Sequence, residues 1–494
     1  MKSRQKNSLS PLYPLALAPL LVAFLLTADA RAQYLPVYGS PTYDPITQTG
    51  LKDGHIPSCW CVNDSGTAVG YAEKFVGGGS QGRRAVRWDA GGAPATELDP
   101  LGTNSGGTAW AYANAVNDAG TAVGYDTKYV GGIPKGDRAV RWDPGSTAAT
   151  ELGNLGTDPS GFAGATASAV NAAGTAVGSA TKIVGGSGKG YRAVRWDAGG
   201  TAATELGSLG TDGFGETFAH AGAINDGGTA VGSARKYAGG SYYGWRAVRW
   251  DAGGTAATEL GNLGTNIFGG TDTKALAVSA AGTAVGWADK WVGGSDQGSR
   301  AVRWDAGGTA ANELGNLGTD ASGAADASAL AVNAAGTAVG WADKWVGGIE
   351  QGSRAVRWDA GGTAATELGN LGTHASGAAE ARAVGVSAAG MAVGWADKWV
   401  GGMNQGCRAV LWGLDGVAVN LNSMIDPTSG WTLTNARAIS DNELWIAGEG
   451  LYDPDGAGPQ QGYGRLWVMQ VPEPAGLAML GLGALALLRR RRRP

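Results

Sequence analysis

The chain has 494 residues, a formal net charge of −4 and only 16% charged residues. Basic residues concentrate at its two ends, so the body is acidic and nucleic acid is an unfavourable partner. The 87 glycines disfavour long helices and suit short strands joined by tight turns. Three cysteines, Cys59, Cys61 and Cys407, are too few for a disulfide framework.

Residues 1–32 have the three parts of an export signal. Basic residues near the start precede an apolar run at about 15–26, and small residues follow. Signal peptidase is expected to cut after Ala30 or after Ala32. Cleavage after Ala32 would leave Gln33 as the first residue of the mature chain. The apolar run is shorter than the roughly 20 residues that a membrane-spanning helix needs, which disfavours a retained anchor.

The body of the chain is an internal repeat with a period of 54 residues. The stretch RAVRWDAGG marks each unit, and its tryptophans are Trp88, Trp142, Trp196, Trp250, Trp304, Trp358 and Trp412. A fixed period means that each unit buries its apolar face against its neighbours, so we predict one large repeat domain over residues 58–470.

The apolar stretches within one unit are short, rich in valine, tryptophan and threonine, and separated by glycine, which predicts strands. We expect a turn from Asn333 to Gly336, with asparagine either left-handed or folded back on its own backbone, and a longer loop over 347–352. The four predicted strands are about Ala329–Asn333, Thr337–Val346, Arg354–Trp358 and Ala364–Leu368.

The first three strands recur eight times, whereas the eighth copy lacks the fourth strand. The N-terminal segment 33–57, around Ile46–Leu51, could supply that strand and close a ring of blades. The fold predicted is therefore all-β, with eight four-stranded units arranged as an eight-bladed β-propeller. An open β-solenoid is the alternative.

Charged residues recur at fixed positions of the unit, typified by Lys74, Arg84, Arg87, Asp89 and Glu97. Arg87 and Asp89 are alternate residues of one strand and so share a face, where they could pair. The repetition favours a structural ion-pair lattice. The alternative is a ring of charge that recognises an ionic ligand.

Units five to seven carry tryptophan pairs where earlier units differ. Because residues four apart in a strand share a face, each pair would form a stripe that packs the next blade or presents flat rings to a sugar. The six candidate ligand-binding residues are Trp287, Trp291, Trp341, Trp345, Trp395 and Trp399.

Signals for enzyme chemistry are weak. His55, His220 and His374 share no repeat position, and no His/Cys spacing suits a metal. We therefore predict no catalytic residues, no metal and no cofactor. Cys59 and Cys61 replace alanines, so we expect small buried side chains, and Cys407 a free thiol.

The C-terminus has three parts as well. Val471, Pro472, Glu473 and Pro474 precede an apolar segment at 475–488 and then five arginines. The arginines would stay in the cytoplasm, and the segment is short for a stable span, so we predict a transient inner-membrane anchor rather than a packed transmembrane helix.

This arrangement over residues 471–494 resembles the PEP-CTERM sorting signal of Gram-negative bacteria. The resemblance implies processing by a membrane protease of the exosortase type during export to the surface. The repeats, with AVRW, ELGNLG and AVNAAGTAVG in that order, look like the HAF repeats of bacterial extracellular proteins. Here Arg300, Ala301 and Val302 stand where that family has His-Ala-Phe.

The sequence thus predicts an exported, surface-associated repeat protein with a structural or interaction role that is not an enzyme. The alternative function is a carbohydrate-binding module that holds extracellular polysaccharide with the six tryptophans.

Overall fold

The computed structural model describes residues 37–38, 50–52, 61–90, 94–453, 455–456 and 462–471. The predicted export signal, His55, Cys59 and the sorting tail after Val471 lie outside these residues. None of the described residues belongs to a helix long and apolar enough to cross a membrane.

The described chain folds into eight four-stranded antiparallel units, numbered here as blades 1 to 8 in chain order. The strands of blade 1 are Cys61–Val62, Ala68–Val76, Gly79–Trp88 and Thr96–Glu97; of blade 2, Ala109–Val116, Ala122–Val130, Ile133–Trp142 and Ala149–Glu151; of blade 3, Ala165–Val170, Ala176–Val184, Ser187–Trp196 and Ala203–Glu205; and of blade 4, Ala219–Ile224, Ala230–Ala238, Ser241–Trp250 and Ala257–Glu259. The strands of blade 5 are Thr273–Val278, Ala284–Val292, Ser295–Trp304 and Ala311–Glu313; of blade 6, Ala327–Val332, Ala338–Val346, Ile349–Trp358 and Ala365–Glu367; and of blade 7, Ala381–Val386, Ala392–Val400, Met403–Trp412 and Ala418–Asn420. Blade 8 consists of Trp431–Ile439, Trp445–Tyr452 and Tyr463–Gln470, with Val37–Tyr38 as its fourth strand. A single 3-10 turn, Leu421–Ser423, follows blade 7.

The turn between the first and second strands is built by asparagine folding back on the backbone. The Asn333 Oδ1 accepts the N–H of Thr337 at 3.0 Å, while Gly336 adopts a φ of 91°. The Asn333 Nδ2 also donates to the carbonyl of Ser387 in the next blade at 3.0 Å. One side chain therefore both shapes its turn and ties two blades together.

The second and third strands meet at a tighter hairpin than predicted. The third strand of blade 6 begins at Ile349 rather than Arg354. Gly347 and Gly348, with φ of 59° and 78°, form a two-residue turn, so the predicted loop is mostly strand. Positive φ at both turn residues matches the twist of the strands, which is why glycine occupies both positions.

The hydrophobic core lies between blades rather than inside them. The core between blades 5 and 6, for example, joins Val285 and Leu314 of blade 5 to Trp358 of blade 6, all buried. The Trp358 Nε1 donates to the carbonyl of Gly315 at 2.9 Å, so the indole is satisfied where it is buried. The repeated tryptophan therefore packs in the core between adjacent blades.

The ring closes through the N-terminal segment and blade 8. Val37–Tyr38 pairs antiparallel with the last strand of blade 8, and supplies its fourth strand. The segment around Ile46–Leu51 was the wrong choice for this strand, because Gly50–Lys52 pairs instead with the second strand of blade 1. Asn442 of blade 8 bonds to Asp64 of blade 1 at 2.9 and 2.7 Å.

A shared core of blade 1 and blade 8 residues completes the closure. The fold is therefore the predicted eight-bladed β-propeller, and the open solenoid is excluded because its terminal units would not meet.

Candidate functional site

The recurrent charges form an internal lattice. In each of blades 1 to 6 a glutamate at the end of the fourth strand accepts a lysine Nζ at 2.6–2.9 Å. The other oxygen of the same carboxylate lies 3.0–3.3 Å from an arginine Nε. The sequence suggested the charges but not this pairing, because the lysine is 23 residues from its glutamate.

The lysine, glutamate and arginine of each of these blades are called its triad here, and the triad arginine binds the loop that leads into the next blade. In blade 1 the Arg84 guanidinium donates to the carbonyls of Gly107 and Ala109 at 2.9 and 3.2 Å. Burial lowers the pKa of Arg84, while the Glu97 carboxylate opposes that change. The buried charge is held by a partner and by carbonyls, as a buried ion requires.

The second recurrent set of charges, an arginine–aspartate pair, also joins a blade to the next one, at a different point from the triad. Arg87 and Asp89 contact each other at 3.2 Å, and the Arg87 Nη1 reaches the carbonyl of Ser146 in blade 2 at 3.3 Å. These charges are engaged within the protein, which favours the structural lattice over a ring that recognises an ionic ligand.

A cleft of about 200 Å³ opens over the triad of blade 4. It is lined by Lys236, Arg246 and Glu259, with Tyr243 and the following loop around Asn262. The triad is therefore reachable from solvent even though its arginine is buried.

The six predicted tryptophans do not form exposed stripes. Each is half-buried in the second strand of its blade. A β-bulge interrupts the pairing beside each pair, and its extra residue belongs to the third strand, so the second strand that carries both tryptophans keeps its own alternation. Trp341 contacts Arg382 of the next blade at 4.4 Å, whereas Trp399 contacts His374 in the loop that precedes its own blade at 5.4 Å.

The second member of each pair is held by packing. The indole nitrogens of Trp291, Trp345 and Trp399 are buried and donate to no partner in the described part of the chain. A role of the six residues in ligand binding stays a prediction.

An aromatic cluster between blades 1 and 2 was missed by sequence reasoning. The Arg83 Nη1 donates to the Tyr112 hydroxyl at 2.9 Å, and the Arg83 Cζ lies 4.8 Å from the Tyr71 ring centroid. Trp110 borders the cluster and is 41% exposed, more than any other tryptophan in the described ranges. Its signal in the sequence was a tryptophan at a position where the fourth unit has Phe218 and the later units have acidic residues.

Exposed apolar residues concentrate at one end of the propeller. This hairpin face consists of the hairpins between second and third strands and the neighbouring interblade loops. A valine before the glycine turn is more than half exposed in six blades, as at Val76 and Val292, and Phe214, Ile267 and Phe268 in the loops are about four-fifths exposed. A Cβ built on Gly294 would meet Ile267 at 2.6 Å, which places loop and hairpin side by side.

One histidine and two cysteines have pKa values shifted by burial. Burial lowers the pKa of His220 to about 4, and Lys274 lowers it further. Burial raises the pKa of Cys61 to about 12, and its Sγ accepts the N–H of Val116 at 2.8 Å. Burial and the Asp397 carboxylate raise the pKa of the Cys407 thiol to about 11. The described residues contain no cluster of His, Cys, Asp or Glu that could hold a metal ion.

Asp126 breaks the repeat from inside the core. Blades 1 and 3 have alanine at this position, Ala72 and Ala180. Asp126 is fully buried; its Oδ2 accepts the N–H of Leu101, and its Oδ1 has no partner among the described atoms. Burial raises the pKa of Asp126 to about 7, opposed by the Leu101 hydrogen bond and the Arg84 charge.

We expect Asp126→Asn to stabilise the protein at pH 8. Because the folded pKa of about 7 lies above the ordinary value of 3.8, stability falls as pH rises from about 4 to about 7, and the full cost of the buried charge is present above pH 7. The free energy of unfolding should increase by roughly 2–4 kcal/mol at pH 8 and change little at pH 4.5. Urea unfolding at both pH values measures this, and equal effects at the two would contradict it.

Comparison with known proteins identifies the C-terminal segment. Residues 470–493 match the PEP-CTERM protein-sorting motif. A comparison with curated protein sequences finds no match.

Solved structures with propeller folds resemble the chain distantly. The β-propeller domain of the Trilobed protease from Pyrococcus furiosus is 9% identical with a TM-score of 0.39, over 75% of this chain and 97% of that one. The GH74 xyloglucanase from Xanthomonas campestris is 12% identical with a TM-score of 0.39, over 87% and 70%. Trypanosoma rangeli sialidase is 9% identical with a TM-score of 0.31, over 89% and 59%.

The fold and the motif together define the class: an exported β-propeller that carries an exosortase-type sorting signal for the cell surface. The resemblance of its repeats to HAF repeats stays a prediction.

Proposed function

We propose that this protein is displayed at the cell surface as a rigid propeller that binds other molecules and is not an enzyme. The observation that carries the proposal is the hairpin face, where exposed apolar side chains recur from blade to blade. Concentrated exposed apolar surface on a soluble domain marks interaction sites. The sorting motif supplies the place where such a surface would meet a partner.

The lattice supports a scaffold role. The recurrent charged side chains are engaged in bonds that join strands and blades. A residue set that recurs through blades 1 to 6 maintains the ring, whereas a catalytic site normally breaks the symmetry. The ring would therefore hold the hairpin face in a fixed shape, which lowers the entropic cost of binding.

The proposed route to the surface involves two proteases. Signal peptidase would release the mature chain near Gln33, and an exosortase-type protease would act near Pro472 to Pro474. Before that second cut, the apolar segment 475–488 would hold the chain transiently in the inner membrane. These segments carry the proposal by their sequence.

The intact mass of the protein recovered from the surface of its native host tests this route. We expect a mass that begins near Gln33 and stops near the Pro-Glu-Pro segment. The same protein expressed in a host without the processing protease is the control and should retain the tail. A surface form that keeps Arg489 to Arg493 would mean a permanently tail-anchored protein and would end the proposal of processing.

Carbohydrate binding is the second candidate function. Trp110 favours it, since this partly exposed indole stands beside an arginine and two tyrosines, a combination that suits stacking on sugar rings. The half-buried tryptophans of blades 5 to 7 offer less ring surface.

A further inference from the structure

The lysine and arginine of each triad form a frame that binds one carboxylate with both oxygens. Blade 6 shows the geometry: the Lys344 Nζ lies 2.7 Å from one Glu367 oxygen, and the Arg354 Nε lies 3.2 Å from the other. The same arrangement occurs in all of blades 1 to 6. In each of them the group that the lysine and arginine hold is a carboxylate. The Lys344 contact is a charge-assisted hydrogen bond, whereas the Arg354 Nε, which has no hydrogen-bond partner among the described atoms, contacts its oxygen as an ion pair.

Blade 7 keeps the frame without its carboxylate. Lys398 and Arg408 occupy the lysine and arginine positions, and Arg408 faces Ala396 in the register that Arg354 and Ala342 have in blade 6. The residue opposite Val410 is Asn420, just as Glu367 lies opposite Val356. A neutral amide therefore replaces the glutamate.

The Asn420 side chain is turned to another task. Its Oδ1 accepts the backbone N–H and the Nδ2 of Asn422, both at 3.0 Å, and caps the 3-10 turn Leu421–Ser423. The oxygen that could substitute for a carboxylate oxygen is thus already engaged in shaping the loop after blade 7.

The two cations lack a substitute partner within the described ranges. No described carboxylate forms an ion pair with Lys398 or Arg408. The Arg408 guanidinium bonds only to the carbonyl of Cys407, and its side chain is partly exposed, whereas the matching arginines of blades 1 to 6 are buried. Asp426 in the following loop is engaged elsewhere, because its Oδ1 accepts hydrogen bonds from the backbone N–H and the hydroxyl of Thr428 at 2.8 and 2.7 Å.

We propose that Lys398 and Arg408 bind a carboxylate from outside the protein, and that its source is a uronic acid residue of an acidic polysaccharide. In blade 4 the corresponding place opens to solvent as a cleft of about 200 Å³, and in blade 7 the Arg408 side chain is itself partly exposed. The ligand class rests on the proposed display at the surface, where acidic polysaccharide is available, but the site rests on geometry alone.

Binding of tetragalacturonate to the purified protein tests the inference by calorimetry at low ionic strength. We expect one site per chain, weakened by salt because the contact is ionic and partly exposed. Maltotetraose, which has no carboxylate, should not bind there. Acetate should compete only at much higher concentration than tetragalacturonate, and equal potency of the two would overturn the assignment of a saccharide.

Variants in blade 7 locate the site. Asn420→Glu supplies an internal carboxylate as in blade 6, so affinity for tetragalacturonate should fall at least tenfold while the protein stays folded, as its melting temperature reports. Lys398→Ala should weaken binding to a similar extent. Val419→Glu is the matched control, because it adds the same charge one residue away on the other face of the strand, and should leave affinity within about twofold.

Undiminished binding by Asn420→Glu would overturn the site, as would absent binding by the native chain. These outcomes are separate from the fate of the proposed surface display, which the intact mass decides without any ligand.

Discussion

Replacing Arg354 by alanine is expected to lower the free energy of unfolding by about 3–5 kcal/mol. This guanidinium is buried, lies 3.2 Å from Glu367, and donates to the carbonyls of Gln351 and Gly377 at 2.6 and 2.8 Å. Truncation leaves the carbonyls and the carboxylate without the partner around which they are arranged. Because the Gly377 loop leads into blade 7, the contact between blades weakens as well.

Urea unfolding measures the loss, and two further variants separate its causes. Arg354→Lys keeps the charge, but its single nitrogen cannot span the separate backbone carbonyls and the carboxylate that the guanidinium fork reaches, so we expect it to recover only part of the stability. Arg437→Ala, which removes a half-exposed partner of Glu449, should cost less than about 1 kcal/mol. A loss at Arg354 no larger than that at Arg437 would mean that the lattice contributes little to the ring.

Replacing Gly286 by alanine should destabilise the protein by about 3 kcal/mol or more. A Cβ at this position would lie 1.9 Å from the carbonyl oxygen of Lys274 on the adjacent strand. Backbone on both sides of the clash belongs to paired strands, so neither can move without breaking ladder hydrogen bonds. The same close approach recurs at Gly340 and Gly394, which explains why the GTAVG-like core of each unit ends in glycine.

Gly188→Ala is the matched control for this prediction. A Cβ on Gly188 meets nothing within 4 Å, although this residue also lies in a strand. We expect a change within about 0.5 kcal/mol in thermal or urea unfolding. Equal stability of the Gly286 and Gly188 variants would show that the strands adjust at little cost, contrary to the close approach seen here.

Much of the fold follows from local sequence. The 54-residue period, the glycine turns and the valine-rich strands predicted four strands per unit and eight units, and the structure has them. Strand limits were less predictable: glycines at 347 and 348 allow either an open loop or a tight turn, and pairing of the flanking strands decides between them.

The candidate sites depended more on distant contacts. Lys344 and Glu367 are far apart in the chain, and the bulge beside each tryptophan pair arises only when two strands pair. The sequence analysis did not single out Asp126, whose raised pKa comes from its burial in the folded protein.

By itself, the sequence determined the repeat, the all-β class, the address carried by the sorting motif and the places where one unit departs from the others, because each of these is written in residues close together along the chain. Only the tertiary structure decided that Val37–Tyr38 closes the ring, which lysine meets which glutamate, and that Asn420 leaves Lys398 and Arg408 without a carboxylate. These depend on strand register and on packing between blades, which bring together residues that the chain keeps apart.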